Sequence, residues 1–559
     1  MSRNVFLILK LLTLAFVASV AWGQTATTSP ATRSTEPAAS QPAELLAGAI
    51  WQYSADGGAT FSSQWPAEAT GKVSMIAKAG FQAGDMAGCQ ALELTHNLDP
   101  KSNPVFTING KTLEGPKELP AVTFRTFPAI PPNIVVQGNN VLTITWQPIQ
   151  AATSQPAASK PPQFSLTALR AGDLKVVTGP ILGARGDDYI TVSCRTNMPA
   201  KVTVRLMGGF SNRHSTPIRA GTIMTWQEFT KTSPPGLFSQ LRLEGLRGMG
   251  TATYQLQIET PDGAGKIESG PWSIAPLTEG RQGLQFVAMG DNRTNPGNWA
   301  LVAAAALKAR PQFVIHTGDL VERGLQDWRW NEELFDPAAV LLSTVPTFAV
   351  PGNHEGGSPI TALLFAVPPD GTPTCWQQTI GPVQLIGIDG AADWSAGSEN
   401  VRWLESVLAA SKTKFIFLIS HYPAWSSGPH ETLDAEGQPK ERPTREGQAV
   451  LWPLLVKYKA TAMISGHDHF YERSEPPGGV TMIVTGGAGA PLYKPVANAK
   501  AQNPYSKIVS SNLHYCLFTV EDDRCTMQAF TPTGEVLDTQ VWSARSVEGA
   551  ALTTAPAAQ

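Results

Sequence analysis

Ala462-Met463-Ile464-Ser465-Gly466-His467-Asp468-His469 is an apolar run broken by a glycine and followed at once by two histidines. A short run of this kind suits a buried strand, and the histidines fall where strand gives way to loop. The arrangement recurs upstream. Asp291 follows Phe286-Val287-Ala288-Met289, Asp319 follows Phe313-Val314-Ile315, Asn353 follows Phe348-Ala349-Val350, and His421 follows Phe415-Ile416-Phe417-Leu418-Ile419. In layered α/β folds, sites lie beyond the carboxyl ends of the strands, so five separated segments can meet in one cleft. One Gly-Asp or His-x-His is a weak signal, because such residues often cap or shape loops. Five in the same topological position are a strong one. Asp, Asn and His together suit two neighbouring divalent or trivalent metals, and such a pair can hydrolyse a phosphate ester.

The surrounding texture supports a layered domain over 282–545. Apolar strands alternate with helical stretches at 299–309, 400–410 and 446–458, then give way to strands at 514–520, 525–530 and 536–542. Upstream, 46–150 carries short β-rich runs such as Val141-Leu142-Thr143-Ile144-Thr145-Trp146 and predicts a small β-domain. Over 163–276, Val202, Val204 and Leu206 alternate with polar residues, the period of a half-buried strand. This segment is expected to form an immunoglobulin-like or fibronectin-like β-sandwich. Thr, Ser, Pro and Ala dominate 24–45 and 151–162, which read as linkers, and the tail 546–559 reads as disordered.

At 559 residues the chain exceeds one domain. Its net charge of -3, with 16% charged residues, gives no footprint for a nucleic-acid scaffold or a polybasic membrane surface. Residues 1–23 read as a signal peptide, with Arg3 and Lys10 before an apolar core and Ala21-Trp22-Gly23 at the cleavage site. No later stretch is long and apolar enough to span a bilayer, so a secreted or periplasmic protein is expected. None of the five cysteines forms a Cys-x-x-Cys pair. A turn at Asp522-Asp523 would set Cys525 opposite Val520, not Cys516, so no disulfide is predicted.

Over 282–545 the chain resembles the calcineurin-like metallophosphoesterases, which include the purple acid phosphatases. The likeness is most specific at Gly352-Asn353-His354-Glu355 and at Gly466-His467-Asp468-His469-Phe470-Tyr471-Glu472-Arg473. The preceding sandwich, with Gly179-Pro180-Ile181-Leu182, is similar to their N-terminal domain. The resemblance implies an α/β/β/α sandwich preceded by β-sandwich domains. It also implies two metal ions, with Fe, Mn or Zn left open. Asp291, Asp319 and His469 would hold the first; Asp319 would bridge to a second held by Asn353, His421 and His467. A metal-held hydroxide would attack phosphorus, and His354 would serve the leaving oxygen.

Two positions depart from the family pattern. Arg293 stands where a metal-binding His is usual, and arginine cannot ligate. Glu322 stands where purple acid phosphatases carry a tyrosine. Arg293 has two open readings: contact with the substrate phosphate, or an ion pair with Glu322. Glu355 is expected to support a loop, and His316 to be a buried histidine. His96, His214, His430 and His514 lie outside the motifs and are expected to pack or face solvent. The long loop at 425–445 reads as a specificity lid.

The function expected is an exported dinuclear-metal phosphoesterase, monoester or diester. The alternative is a catalytically degenerate phosphatase-like domain in a surface- or glycan-binding protein, with cell-surface or glycan contact through the N-terminal β-domain.

Overall fold

The architecture follows from which face of each strand is apolar. The structure is a computed structural model that describes residues 43–66, 74–148, 161–211, 224–275, 283–366 and 375–546. The leader, most of both linkers, the tail and His214 lie outside the described residues.

The first β-module is a sandwich. One sheet orders Ala43–Glu44, Phe164–Arg170, Cys89–His96 and Thr126–Ile130. The other orders Ile50–Ser54, Met75–Ala83, Gly138–Trp146, Val105–Ile108 and Lys111–Thr112. Phe81, Leu94, Phe106, Leu142 and Leu166 fill the space between them. Phe164–Arg170 pairs with Cys89–His96, His96 facing Phe164, so this strand belongs to the first sandwich and not to the second. The domain boundary placed at 163 therefore moves downstream of Arg170. The 151–162 segment joins two strands of one sandwich. Composition marked the break in texture but carried no information about which sheet the next strand would join.

The second sandwich is organised by the 23-residue strand Tyr189–Ser211. Its first half pairs with Val176–Arg185 and Gly236–Glu244; its second half pairs with Met224–Thr232 and Met249–Glu259. One strand thus passes from one sheet to the other. Val202, Val204 and Leu206 point into the core as their alternation requires.

The C-terminal domain stacks two mixed sheets. The first orders β3 (Thr347–Ala349), β2 (Phe313–His316), β1 (Leu284–Met289), β11 (Tyr515–Glu521), β12 (Arg524–Phe530) and β13 (Val536–Ser543). The second orders β4 (Cys375–Ile380), β5 (Val383–Ile388), β6 (Phe415–Ser420), β7 (Ala462–Ser465), β9 (Thr481–Thr485), β8 (Tyr471–Ser474) and β10 (Ser506–Ser510). The metal-motif strands β1, β2 and β3 run parallel, as do β5, β6, β7 and β9. Phe286 and Ala288 of β1 face the second sheet, while Val287 and Met289 face the helices. Burial on both faces explains the continuous apolar runs. Phe286 stacks between Phe313 and Phe518, with centroids 4.8 and 4.6 Å away.

Helices cover the outer faces. α1 (Pro296–Lys308) starts where Asn295 Oδ1 accepts from Asn298 N at 3.2 Å, with Pro296 in the first turn. It buries Trp299, Val302 and Ala306 against β1 and β2. α2 (Glu399–Ala410), capped by Ser398, lays Leu404 and Leu408 on β5 and β6. The helix expected at 446–458 forms as Arg442–Glu446, a wide turn Gly447–Leu451 and Trp452–Lys457. The result is the expected α/β/β/α order. In the hairpin of β11 and β12, Val520 faces Cys525, not Cys516. No helix among the described residues is long and apolar enough to cross a membrane.

Candidate metal centre

Each chemistry-bearing loop leaves the carboxyl end of a strand. β1 leads to Asp291, β2 to Asp319, β3 to Asn353 and His354, β6 to His421, and β7 to His467 and His469. Asp291, Asp319, His421, His467 and His469 are between 0 and 3% exposed. The loops approach so closely that two glycines are required. A Cβ on Gly352 would lie 2.2 Å from Asp319 Oδ1, and one on Gly466 would lie 2.2 Å from Asp291 Oδ2. Asp291, Asp319 and His467 hold the left-handed backbone at φ 59°, 53° and 72°, a strained conformation that aims their side chains inward.

Hydrogen bonds decide the histidine tautomers. His421 Nδ1 meets the Thr317 carbonyl at 3.0 Å, and His469 Nδ1 meets the Pro491 carbonyl at 2.8 Å. Carbonyls only accept, so both Nδ1 atoms carry hydrogen and both Nε2 lone pairs face the cleft. His467 is reversed: Nε2 meets Glu441 Oε2 at 2.9 Å, which leaves its Nδ1 lone pair inside.

Four acceptor atoms now converge. His421 Nε2 lies 3.1 Å from His467 Nδ1, 3.0 Å from Asn353 Oδ1 and 3.4 Å from Asp319 Oδ1. Lone pairs facing one another at these separations repel unless a cation lies among them. Donors roughly 2.1 Å from one shared ion stand about 3.0–3.4 Å apart, so this second site fits a metal.

The first site is different. Asp291 Oδ1 lies 3.6 Å from His469 Nε2, and Asp319 joins them as a potential ligand set. Arg293 enters the same space. Its Nε donates to Asp319 Oδ2 at 3.1 Å and its Nη1 to Glu322 Oε2 at 2.5 Å, and Nη2 lies 3.4 Å from His469 Nε2. The ion pair with Glu322, one of the two readings of Arg293, is formed. A guanidinium occupies the inner side of the first ligand set, so those residues as arranged do not fit a metal ion.

Charge follows this geometry. Burial and the neighbouring Asp319 carboxylate push Asp291 well above the usual carboxylate range. Burial would raise Asp319 as well, but His421, His354 and Arg293 outweigh it and bring it to about 2. Burial lowers His421 to about 4 and His469 to about 3.

His354 stands at the mouth, its side chain 23% exposed, with Nδ1 donating to the Glu322 carbonyl at 2.7 Å and Nε2 3.8 Å from Asp319 Oδ2. Glu355 lies beneath, accepting from the backbone of Gly352 (2.6 Å), Asp319 (3.0 Å) and Leu320 (2.8 Å), the loop-supporting role expected of it. A cavity of about 700 Å³ opens beside Asn353 and Tyr422.

Sequence reasoning missed three neighbours. The His430 ring lies 4.2 Å from that of His467, tilted at 37°, Glu441 joins both histidines, and the Tyr493 ring lies 4.0 Å from that of His469. The only sequence signal for His430 was its place in the loop that starts at His421. Nothing pointed to Glu441 or Tyr493. The 425–445 loop, expected to be a lid, thus supplies side chains to the centre itself. His316 is buried against Trp299, and His514 is buried with Thr485 and the Asn512 carbonyl, so both pack as expected. Tyr471 is directed away from the cleft, its hydroxyl donating to Asp538 at 2.6 Å.

The family model described as calcineurin-like phosphoesterase matches residues 284–471. Tartrate-resistant acid phosphatase type 5 of Rattus norvegicus is 32% identical over 258 residues, 38% of this chain and 75% of the relative. A protein named probable inactive purple acid phosphatase 24 of Arabidopsis thaliana is 28% identical over 188 residues, and the match spans only 29% of that relative's length. Among solved structures, purple acid phosphatase PPD1 from yellow lupin matches with a TM-score of 0.56 at 16% identity, covering 85% of this chain and 94% of that one, a likeness of fold. By its matched family model, its rat relative and its two-sheet architecture, the chain belongs to the calcineurin-like phosphoesterases, among the purple acid phosphatase-like members.

Proposed function

We propose that the chain is a metal-dependent hydrolase of phosphate esters, acting at the cleft above β2, β3, β6 and β7. The observation that carries this reading is the convergence of His467 Nδ1, Asn353 Oδ1 and Asp319 Oδ1 on His421 Nε2, at 3.1, 3.0 and 3.4 Å from it. Asn353, His421, His467 and Asp319 would hold the ion, and a divalent metal there supplies Lewis-acid polarisation of the phosphoryl group and a more acidic water. The family implies a dinuclear centre, and its first-site residues here are Asp291, Asp319 and His469.

The protein's own groups do the rest. Asp319 orients the site through contacts with His421 and with the His354 backbone at 3.1 Å. His354, open to the mouth, is placed to carry a proton at Nε2 for the leaving oxygen. The adjoining cavity gives a leaving group room beside Asn353 and Tyr422. Export through the 1–23 leader belongs to the same reading, as does glycan or surface contact through the first sandwich.

Purified protein loaded with Mn²⁺ or Zn²⁺ should hydrolyse an aryl phosphate or an aryl phosphodiester and lose that activity on chelation. His354→Ala should lower kcat by roughly 10²–10⁴-fold with the metal retained. Bound metal with no turnover across monoesters, diesters and nucleotides would sink the enzyme reading in favour of a degenerate, binding-only domain.

A further inference from the structure

The two departures from the family pattern touch each other. Arg293 and Glu322 stand at separate motifs in the chain, yet Arg293 Nη1 donates to Glu322 Oε2 at 2.5 Å. The same guanidinium meets Asp319 Oδ2 at 3.1 Å and approaches His469 Nε2 at 3.4 Å. Those two atoms are the ones a first metal would need: Asp319 Oδ1 already faces the second site, and the His469 Nε2 lone pair is set inward by the Pro491 bond. Only 11% of the Arg293 side chain is exposed, so it is walled into the centre and is not a surface arm.

We propose that the Arg293 guanidinium is the permanent occupant of the first cation position, so that the protein binds one metal ion, at Asn353, His421, His467 and Asp319. The inference rests on the metal-dependent reading above and refines it. A fixed positive charge, held by Glu322 and Asp319, replaces a dissociable one. A second ion could enter only by displacing the guanidinium from Asp319 Oδ2 and His469 Nε2, and the like charges repel. Arg293 and Glu322 then form one device: the arginine supplies the charge, and the glutamate, at the position where purple acid phosphatases carry a tyrosine, anchors the arginine.

Metal content decides the matter independently of turnover. The full chain, stripped with a chelator and dialysed against excess Mn²⁺, should retain about one ion by elemental analysis and show the electron paramagnetic resonance of an isolated Mn²⁺. His469→Ala should keep that ion, and His467→Ala should lose it. Arg293→His, which removes the charge and restores a ligand, should take up two ions and show a spin-coupled pair. Two ions or a coupled pair in the wild-type protein would overturn the guanidinium proposal while leaving the hydrolase reading intact. One ion lost in His469→Ala but kept in His467→Ala would overturn it equally. No bound metal in the wild type would instead overturn the metal-dependent reading itself.

Discussion

Glu441 shows how much one side chain outside every motif can decide. Burial alone would raise its pKa, but hydrogen bonds with His430 and His467 outweigh this and bring it to about 2, so it is a carboxylate throughout the working pH range. As a pure acceptor it forces the hydrogen of His467 onto Nε2 and leaves Nδ1 free to ligate. Glu441→Ala should therefore weaken metal binding at the second site by roughly 10–100-fold in a competition titration with a chromophoric chelator. Unchanged affinity would reduce Glu441 to a loop contact. Glu355 acts on backbone instead: its buried side chain accepts from three successive amides, Asp319, Leu320 and Val321, and holds the loop after β2 in shape.

At the scale of elements, the strand ends carry the chemistry and the strands beneath them supply rigidity. The glycine run after β9 packs against the Asp291 loop, with Ala488 N donating to the Gly290 carbonyl at 3.0 Å and Ala490 N to that of Asp291 at 2.8 Å. A Cβ on Gly487 would lie 2.2 Å from the His514 ring, so this turn and the start of β11 are interlocked. His514 is buried, and burial lowers its pKa to about 4. The unfolded chain takes up this proton between about pH 6.5 and 4 while the folded chain does not. The stability linked to a neutral His514 is thus intact above pH 6.5 and lost as pH falls toward 4. The unfolding free energy of the wild type minus that of His514→Gln should fall by on the order of 3 kcal/mol across this window. A flat difference in urea titrations would show that the imidazole takes up its proton as readily in the folded chain as in the unfolded one.

Across the whole molecule, the β-modules are joined to the phosphoesterase domain through shared cores. Ala184 and Tyr189 of the second sandwich lie in the cluster between the two large sheets, and Leu119, Val122 and Phe124 of the first lie in the cluster under α1. Tyr254 Oη donates to the Ser343 carbonyl at 2.7 Å, and Thr123 N donates to the Leu325 carbonyl at 2.7 Å, a few residues from Glu322. A Cβ on Gly183 would come within 2.3 Å of the Phe365 carbonyl oxygen. Interfaces this close-packed do not separate on their own. Residues 43–546 should unfold in one calorimetric transition, and residues 283–546 alone should melt well below it. Independent transitions, or an isolated domain of unchanged melting temperature, would contradict this.

The amino-acid sequence by itself determined the layered domain, because apolar runs buried on both faces can be only inner strands. It also pointed to the candidate ligand residues at the strand ends, because a topological rule brings those ends together. Tertiary structure alone decided which sheet received Phe164–Arg170, since alternation reveals a strand's faces but not its partner. It alone brought Glu441 and His430 to His467 and set Arg293 between Asp319, Glu322 and His469. Those meetings depend on loop paths and close approach across the fold, which no local spacing in the chain encodes.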